Sequence, residues 1–237
     1  IKTKLRKRII PIILVDRYQV VTSKSFSDYR NFGNLEQTVE IFNLRNVDEL
    51  VVLDISSSNN NLGIDENILR IMSKNTIMPF SYGGGIKTLH DIEKCLKIGC
   101  DKVVINYCNL YDEILLKNSI KDFGKQTIIV SIDYKKIDGK ELIFDHVKDM
   151  ATNIKLSEYI DIINNIGCGE ILLTNVANDG QLDGYDYDII QKFRSKIDCP
   201  IIINGGCNSP ENMHEAFLKG ADACGAGSLF YYTKYSY

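Results

Sequence analysis

The sequence predicts an α/β chain closed into a (β/α)8 barrel. Eight short apolar runs alternate with helix-like stretches along its 237 residues. The runs are near-continuous, as strands buried on both faces of a parallel sheet must be. The chain also repeats itself. An offset of 121 carries Gly84 to Gly205, Gly85 to Gly206, Gly99 to Gly220, Asp101 to Asp222 and Glu49 to Glu170. An open doubly wound sheet is the alternative, but glycine pairs after matching strands of two related halves favour closure.

In chain order the predicted strands are 9–15, 49–55, 79–82, 102–106, 127–133, 170–174, 200–204 and 223–225. Helical segments are expected near 36–46, 66–74, 88–98, 110–122, 156–166, 186–196 and 209–219. The last shows the logic most fully. Ser209 can cap it, Pro210 suits its first turn, Met213, Ala216 and Phe217 share one face, and Gly220 stops it. Two connections are long. Segment 17–34 follows strand one, and segment 135–156 follows strand five and holds Asp138-Gly139, a hairpin-type turn. Both lie at the C-terminal face, where barrel active sites sit, and read as functional lids. The whole is read as one barrel domain, 1–237, with halves of about 1–122 and 123–237. Only nine residues, 229–237, follow Ser228, so a full eighth helix is expected to be missing or trimmed. The absence of a starting Met suggests trimming at the other end.

Composition narrows the function classes. The chain is 44% hydrophobic and 25% charged, and at this length folding buries about 70–75% of the extended surface. Lys+Arg is 28 against 31 Asp+Glu, a net charge of -3, so no nucleic-acid partner is expected. No apolar run approaches the ~18 residues of a membrane span. The basic start, Ile1 to Arg8, lacks the apolar stretch of a secretory signal. The seven cysteines (Cys95, Cys100, Cys108, Cys168, Cys199, Cys207, Cys224) are odd in number and form no CxxC. They read as free buried thiols in a reducing cytoplasm. His90, His146 and His214 have no partner at metal-binding spacing and read as surface residues.

Three groups of residues can carry chemistry. Gly83-Gly84-Gly85, Gly205-Gly206 and Gly225-Ala226-Gly227-Ser228 follow strands three, seven and eight. Glycines expose backbone N–H groups to an anion, and barrel loops after strands seven and eight commonly hold phosphate. Two repeat-related sites suggest two phosphates at opposite ends of one elongated substrate, with Asn106 a further donor beside the first. A single pair would read only as a tight turn. The second group is the carboxylates at strand ends: Asp54, Asp133 and Asp179, the last before Gly180. Each is a candidate acid or base. The competing role is a cap or Asx turn, strongest for Asp179 and weakest for Asp133. The counterpart of Asp133 at the end of strand one is Leu14. Third, Arg8, Glu49, Lys102 and Glu170 begin strands one, two, four and six. Each alone reads as a solvated strand start. Facing inward together, they would form a self-neutralising ring that gates the bottom of the barrel.

These residues bring a family into view. The chain resembles the cyclase subunit of imidazole glycerol phosphate synthase (HisF) almost end to end. The likeness runs through Lys7-Arg8-Ile9-Ile10-Pro11, Asp48-Glu49-Leu50-Val51-Val52-Leu53-Asp54-Ile55, Gly83-Gly84-Gly85-Ile86 and Asp101-Lys102-Val103. It continues through Gly169-Glu170-Ile171-Leu172-Leu173-Thr174, Asn178-Asp179-Gly180, Gly184-Tyr185-Asp186, Gly205-Gly206 and Gly220-Ala221-Asp222. The resemblance implies a twofold-duplicated barrel that docks a HisH-like glutaminase at its N-terminal pole and takes up the ammonia it releases. It matches Arg8, Glu49, Lys102 and Glu170 to the family's ammonia gate. It matches Gly84, Gly85 and Asn106, and Gly206, Gly227 and Ser228, to its phosphate loops.

The departures fall at the other pole. The family's two catalytic aspartates end strands one and five; Asp133 matches the second, and Leu14 occupies the first. Thr22 stands where a substrate-contacting Lys is expected, and Tyr107 replaces a small hydroxyl residue. HisF-like paralogues of surface-polysaccharide pathways are similar in this way. With a glutaminase they feed ammonia to an N-acetyl sugar amidotransferase. That is the leading expectation. The alternatives are an authentic cyclase of histidine biosynthesis and a non-catalytic glutaminase-docking scaffold. The sibling HisA-type isomerase needs the first aspartate and has no gate. No cofactor or metal is expected beyond bound phosphate or sulfate.

Overall fold

The computed structural model describes residues 6–60, 62–106 and 113–231. Twelve strands are present among them: β1 Arg8–Asp16, β2 Gln19–Lys24, β3 Ser27–Asn34, β4 Leu50–Asp54, β5 Phe80–Gly83, β6 Lys102–Ile105, β7 Ile128–Ile137, β8 Lys140–Asp145, β9 Met150–Lys155, β10 Glu170–Asn175, β11 Ile201–Asn204 and β12 Ala223–Ala226. The described α-helices are α1 Leu35–Arg45, α2 Ile55–Asn59, α3 Glu66–Asn75, α4 Leu89–Ile98, α5 Glu113–Phe123, α6 Leu156–Ile166, α7 Tyr187–Arg194, α8 Pro210–Lys219 and α9 Ser228–Tyr231.

Eight of the strands close a parallel barrel in the order β1-β4-β5-β6-β7-β10-β11-β12, and β12 pairs with β1 again. These are the eight apolar runs of the sequence. Side chains alternate across each strand, so one set points to the axis and the other to the helices. Ile10, Ile12, Val51, Val104, Ile129, Leu172 and Ile202 form an inner apolar cluster. The outer set, including Ile13, Val52, Val130 and Ile171, packs against buried helix residues such as Leu69, Ile92, Ile160 and Ile189.

Helix ends are set locally. Thr88 and Asp91 form a capping box on α4, and Ser209 caps α8 with Pro210 in its first turn. Gly220 ends α8 at φ 111°, where an L side chain would be strained. The half-barrel boundary expected near 122 falls at the end of α5. A short helix, α9, follows β12. Of the segment 229–237, where no full eighth helix is expected, residues 229–231 lie in α9 and residues 232–237 lie outside the described residues. Tyr107, Cys108 and the first five residues also lie outside them. The other six cysteines are free thiols. Among the described residues no helix is long and apolar enough to cross a membrane.

The two long connections differ from expectation. Both are folded into antiparallel strands that extend the barrel at its C-terminal face. β1 turns directly into β2, and β2 into β3; β7 runs into β8, and β8 into β9. Three of these four connections, all but β8–β9, are two-residue turns that need a left-handed backbone at both positions. Asp138 (φ 47°) and Gly139 (φ 73°) advertise this in sequence, but Arg17 and Tyr18 (φ 47° and 68°) and Ser25 and Phe26 (φ 50° and 62°) do not.

Candidate active site

The inward-facing residues are stacked in layers along the barrel axis. The lowest layer is the charged ring. Arg8 Nη1 donates to Glu49 Oε2 at 2.8 Å and to Glu170 Oε1 at 3.2 Å, and Arg8 Nη2 also pairs with Glu170. Lys102 Nζ donates to Glu49 Oε1 at 2.9 Å and to Glu170 Oε1 at 2.6 Å. Ser81 Oγ adds a donor to Glu49. Both glutamates are buried. Burial alone would push the Glu170 carboxyl up; Arg8 and Lys102 outweigh it and hold it below the usual carboxylate range. Burial likewise works against the two cations, and the glutamates reverse that, so both are raised. The four charges are therefore not solvated strand starts.

Above the apolar layer the barrel opens into a cavity of about 830 Å³. Asp133, Asn106, Gly84, Gly85, Asp179, Gly227 and Ser228 all line it. Gly205, Gly206 and Gly180 lie in an adjoining recess, which shares Asp179, Gly227 and Ser228 with the cavity. The structure thus gathers these ten predicted residues at one mouth. The glycines are needed as glycines. A Cβ on Gly85 (φ 70°) would sit 2.0 Å from the Gly63 carbonyl oxygen, and one on Gly206 (φ 94°) 2.2 Å from that of Gly184.

Asp133 is buried on β7, the fifth strand of the barrel, and Asn106 Nδ2 donates to its Oδ2 at 2.6 Å. Leu14 lines the same cavity. Sheet register identifies it as the counterpart of Asp133. Leu14 pairs with Leu53, and Asp133 pairs with Thr174. Leu53 and Thr174 are themselves 121 positions apart. Asp54, by contrast, is committed to structure. It caps α2 through the Ser57 N–H (3.0 Å) and accepts from the Ser57, Ser56 and Tyr82 hydroxyls.

Asp179 accepts from Ser23 Oγ at 2.8 Å, and its carbonyl accepts from the Ser25 N–H. These bonds latch the β2–β3 hairpin over the cavity. Phe26 of that hairpin meets Phe144 of β8 edge-on, with ring centroids 6.1 Å apart. Burial pushes the Asp179 carboxyl up to about 6, against the lowering effect of Ser23 and with a contribution from Asp133. A carboxyl-carbon NMR titration is expected to place the Asp179 midpoint near 6, and Ser23→Ala to move it higher. Because the folded value exceeds the ordinary one, this group favours the folded state at acid pH. It costs stability as pH rises from the ordinary carboxylate range through about 6. A midpoint near 4 in both proteins would refute this placement.

One site residue was missed in the sequence. The sequence places His146 at the surface with His90 and His214, and the latter two are indeed exposed. Instead His146 Nδ1 lies 3.6 Å from Asp133 Oδ2, and His146 lines the cavity. The Asp145 carboxylate accepts from the Val147 and Lys148 N–H groups, a turn that holds His146 at the end of β8. The Asp138-Gly139 hairpin was the available signal, because it returns the chain to the barrel mouth.

A closed (β/α)8 barrel with a charged ring at one pole and a glycine-edged carboxylate cavity at the other defines a class of small-molecule enzyme. Comparison with known proteins narrows it. The histidine biosynthesis protein family profile matches residues 8–236. A Campylobacter jejuni protein provisionally named imidazole glycerol phosphate synthase subunit hisF2 is 39% identical over 98% of this chain and 92% of its own length. The imidazole glycerol phosphate synthase subunits HisF of Dehalococcoides mccartyi and Chlorobaculum parvum are each 34% identical over 98% of this chain and 92% and 93% of theirs. The chain belongs to the histidine biosynthesis protein family, among its HisF-like cyclase subunits.

Proposed function

We propose that this chain is the synthase subunit of a glutamine amidotransferase, taking ammonia from a HisH-like glutaminase at the N-terminal pole and delivering it to the C-terminal cavity. The observation that carries this reading is the stacking on one axis of the Arg8–Glu49–Lys102–Glu170 ring, an apolar interior and the Asp133 cavity. The ring serves as the gate. The Gly84–Gly85 and Gly205–Gly206 loops, with Gly227 and Ser228, offer backbone N–H groups to a phosphorylated or sugar-phosphate acceptor. Asp133 is the proton-transfer group.

The acceptor we favour is an N-acetyl sugar of surface-polysaccharide synthesis, amidated together with a separate amidotransferase. Leu14 supports this, because an alkyl side chain cannot move the proton that two-aspartate cyclisation requires. A cyclase of histidine synthesis is the second reading. Asp133, held by Asn106 and flanked by His146, favours it.

The deciding experiment supplies the purified chain with ammonium chloride and the bisphosphate precursor of imidazole glycerol phosphate. Robust turnover would overturn the sugar reading. A parallel assay adds a HisH-type glutaminase and follows glutamine amide nitrogen. Failure to stimulate glutaminase or pass ammonia would leave only a docking scaffold. In that assay Leu14→Asp is expected to leave ammonia delivery unchanged, since Leu14 stands at the far pole. Abolished delivery would show that the two poles are not separable.

A further inference from the structure

Apart from the ring and the cavity, one cluster of reactive side chains stands out. Cys168 precedes β10 and Cys199 precedes β11, and their sulfurs are 3.3 Å apart across 31 positions of sequence. Both lie at the N-terminal pole. Cys168 is two residues from the ring glutamate Glu170, and Cys199 adjoins Pro200, whose carbonyl accepts from the Ile171 N–H. Cys168 is buried, whereas Cys199 is partly exposed. Arg194 donates to the Cys199 carbonyl at 3.0 Å and pairs with Asp222 at 2.7 Å. This anchors the second thiol's backbone and sets a guanidinium beside it.

We propose that Cys168 and Cys199 are a reversible oxidative modification site, a thiol pair that closes to a disulfide across the starts of β10 and β11. The sulfurs already touch, and bonding closes them from 3.3 Å to about 2.0 Å. The roles are asymmetric. The two sulfurs share a hydrogen bond in which either can be the donor; Cys199 is the partly exposed member, with the Arg194 guanidinium bound to its carbonyl, and Cys168 is buried. Cys199 is therefore the attacking sulfur and Cys168 the resolving one.

With hydrogen peroxide as oxidant, the Cys199 thiolate attacks one peroxide oxygen. The O–O bond breaks, a sulfenic acid forms, and hydroxide leaves and is protonated to water. The Cys168 sulfur then attacks the sulfenic sulfur. The S–S bond forms as the S–O bond breaks, and the departing hydroxide takes the Cys168 proton as a second water. Two thiols are oxidised by two electrons and one peroxide is reduced. The proposal goes beyond ammonia delivery and holds whatever the acceptor is.

The test is peptide mapping of the full chain, reduced and then exposed to hydrogen peroxide. The expected product joins the Cys168 and Cys199 peptides with loss of two hydrogens, reverts with dithiothreitol, and raises the Tm by several degrees. Cys168→Ser should leave Cys199 as sulfenic or sulfinic acid with no cross-link. Cys95→Ser should cross-link like the parent and shows that any loss is not general misfolding. Oxidation of Cys199 without a cross-link in the parent chain, or preferential pairing of other cysteines, would overturn the proposal.

Discussion

Asp133→Asn is expected to lower ammonia-dependent product formation by about 10²–10⁴-fold, the usual cost of losing a general acid or base. The substitution keeps the size of the side chain. Its amide oxygen can still accept the 2.6 Å bond from Asn106, so the cavity keeps its shape. What disappears is an ionisable oxygen beside His146 on a strand whose neighbouring inward position is Ser131. Leu14 offers no substitute. The measurement is steady-state turnover with ammonium chloride, run with each of the two acceptor classes. Glutaminase stimulation, read at the other pole, should stay unchanged. Turnover within a factor of two of the parent would remove Asp133 from the chemistry.

Glu170→Ala is expected to cost about 3–5 kcal/mol of folding stability, the range seen when one partner of a buried ion pair is deleted. Glu170 contacts both cations of the ring, and Glu49 alone cannot neutralise two positive charges. Urea denaturation at neutral pH would show the loss as a shifted midpoint with an unchanged slope. The pH dependence follows from the depressed Glu170 carboxyl. Its stabilising contribution is complete above the ordinary carboxylate range and is lost as pH falls below it. The gap between parent and variant should therefore narrow in acid. A gap that is small at neutral pH, or constant down to acid pH, would mean that the ring contributes little.

Much of the barrel was legible because its strands carry their own signal. Runs such as Ile171-Leu172-Leu173 have no polar alternation, and Ser209-Pro210 with Gly220 brackets a helix. The ring was legible only through repetition. Glu49 alone is an ordinary strand start, but Glu49 with Glu170 at the barrel's own offset is a pattern. What stayed hidden was what tertiary context decides. The β1–β2 and β2–β3 turns place Arg17, Tyr18, Ser25 and Phe26 in left-handed conformations that none of these residues prefers. The surrounding ladders impose them. Without those turns, β2 and β3 read as loop. Likewise His146 looked solvated because only the folded β8 carries it to Asp133.

Those hairpins have a cost that the barrel itself avoids. A closed sheet has no free edge, yet among the described residues β3 pairs only with β2, and β9 only with β8. Each therefore has one side with no strand neighbour among the described residues. The sequence blunts both edges. β3 is almost wholly exposed and reads Ser-Asp-Tyr-Arg-Asn-Phe-Gly-Asn, with charges at Asp28 and Arg30. Its pairing with β2 is broken by two irregularities, and that of β8 with β9 by one. β9 ends on Lys155. Twist, charge and broken register make poor templates for strand addition, so the extended mouth of the barrel is guarded against aggregation by the residues that build it.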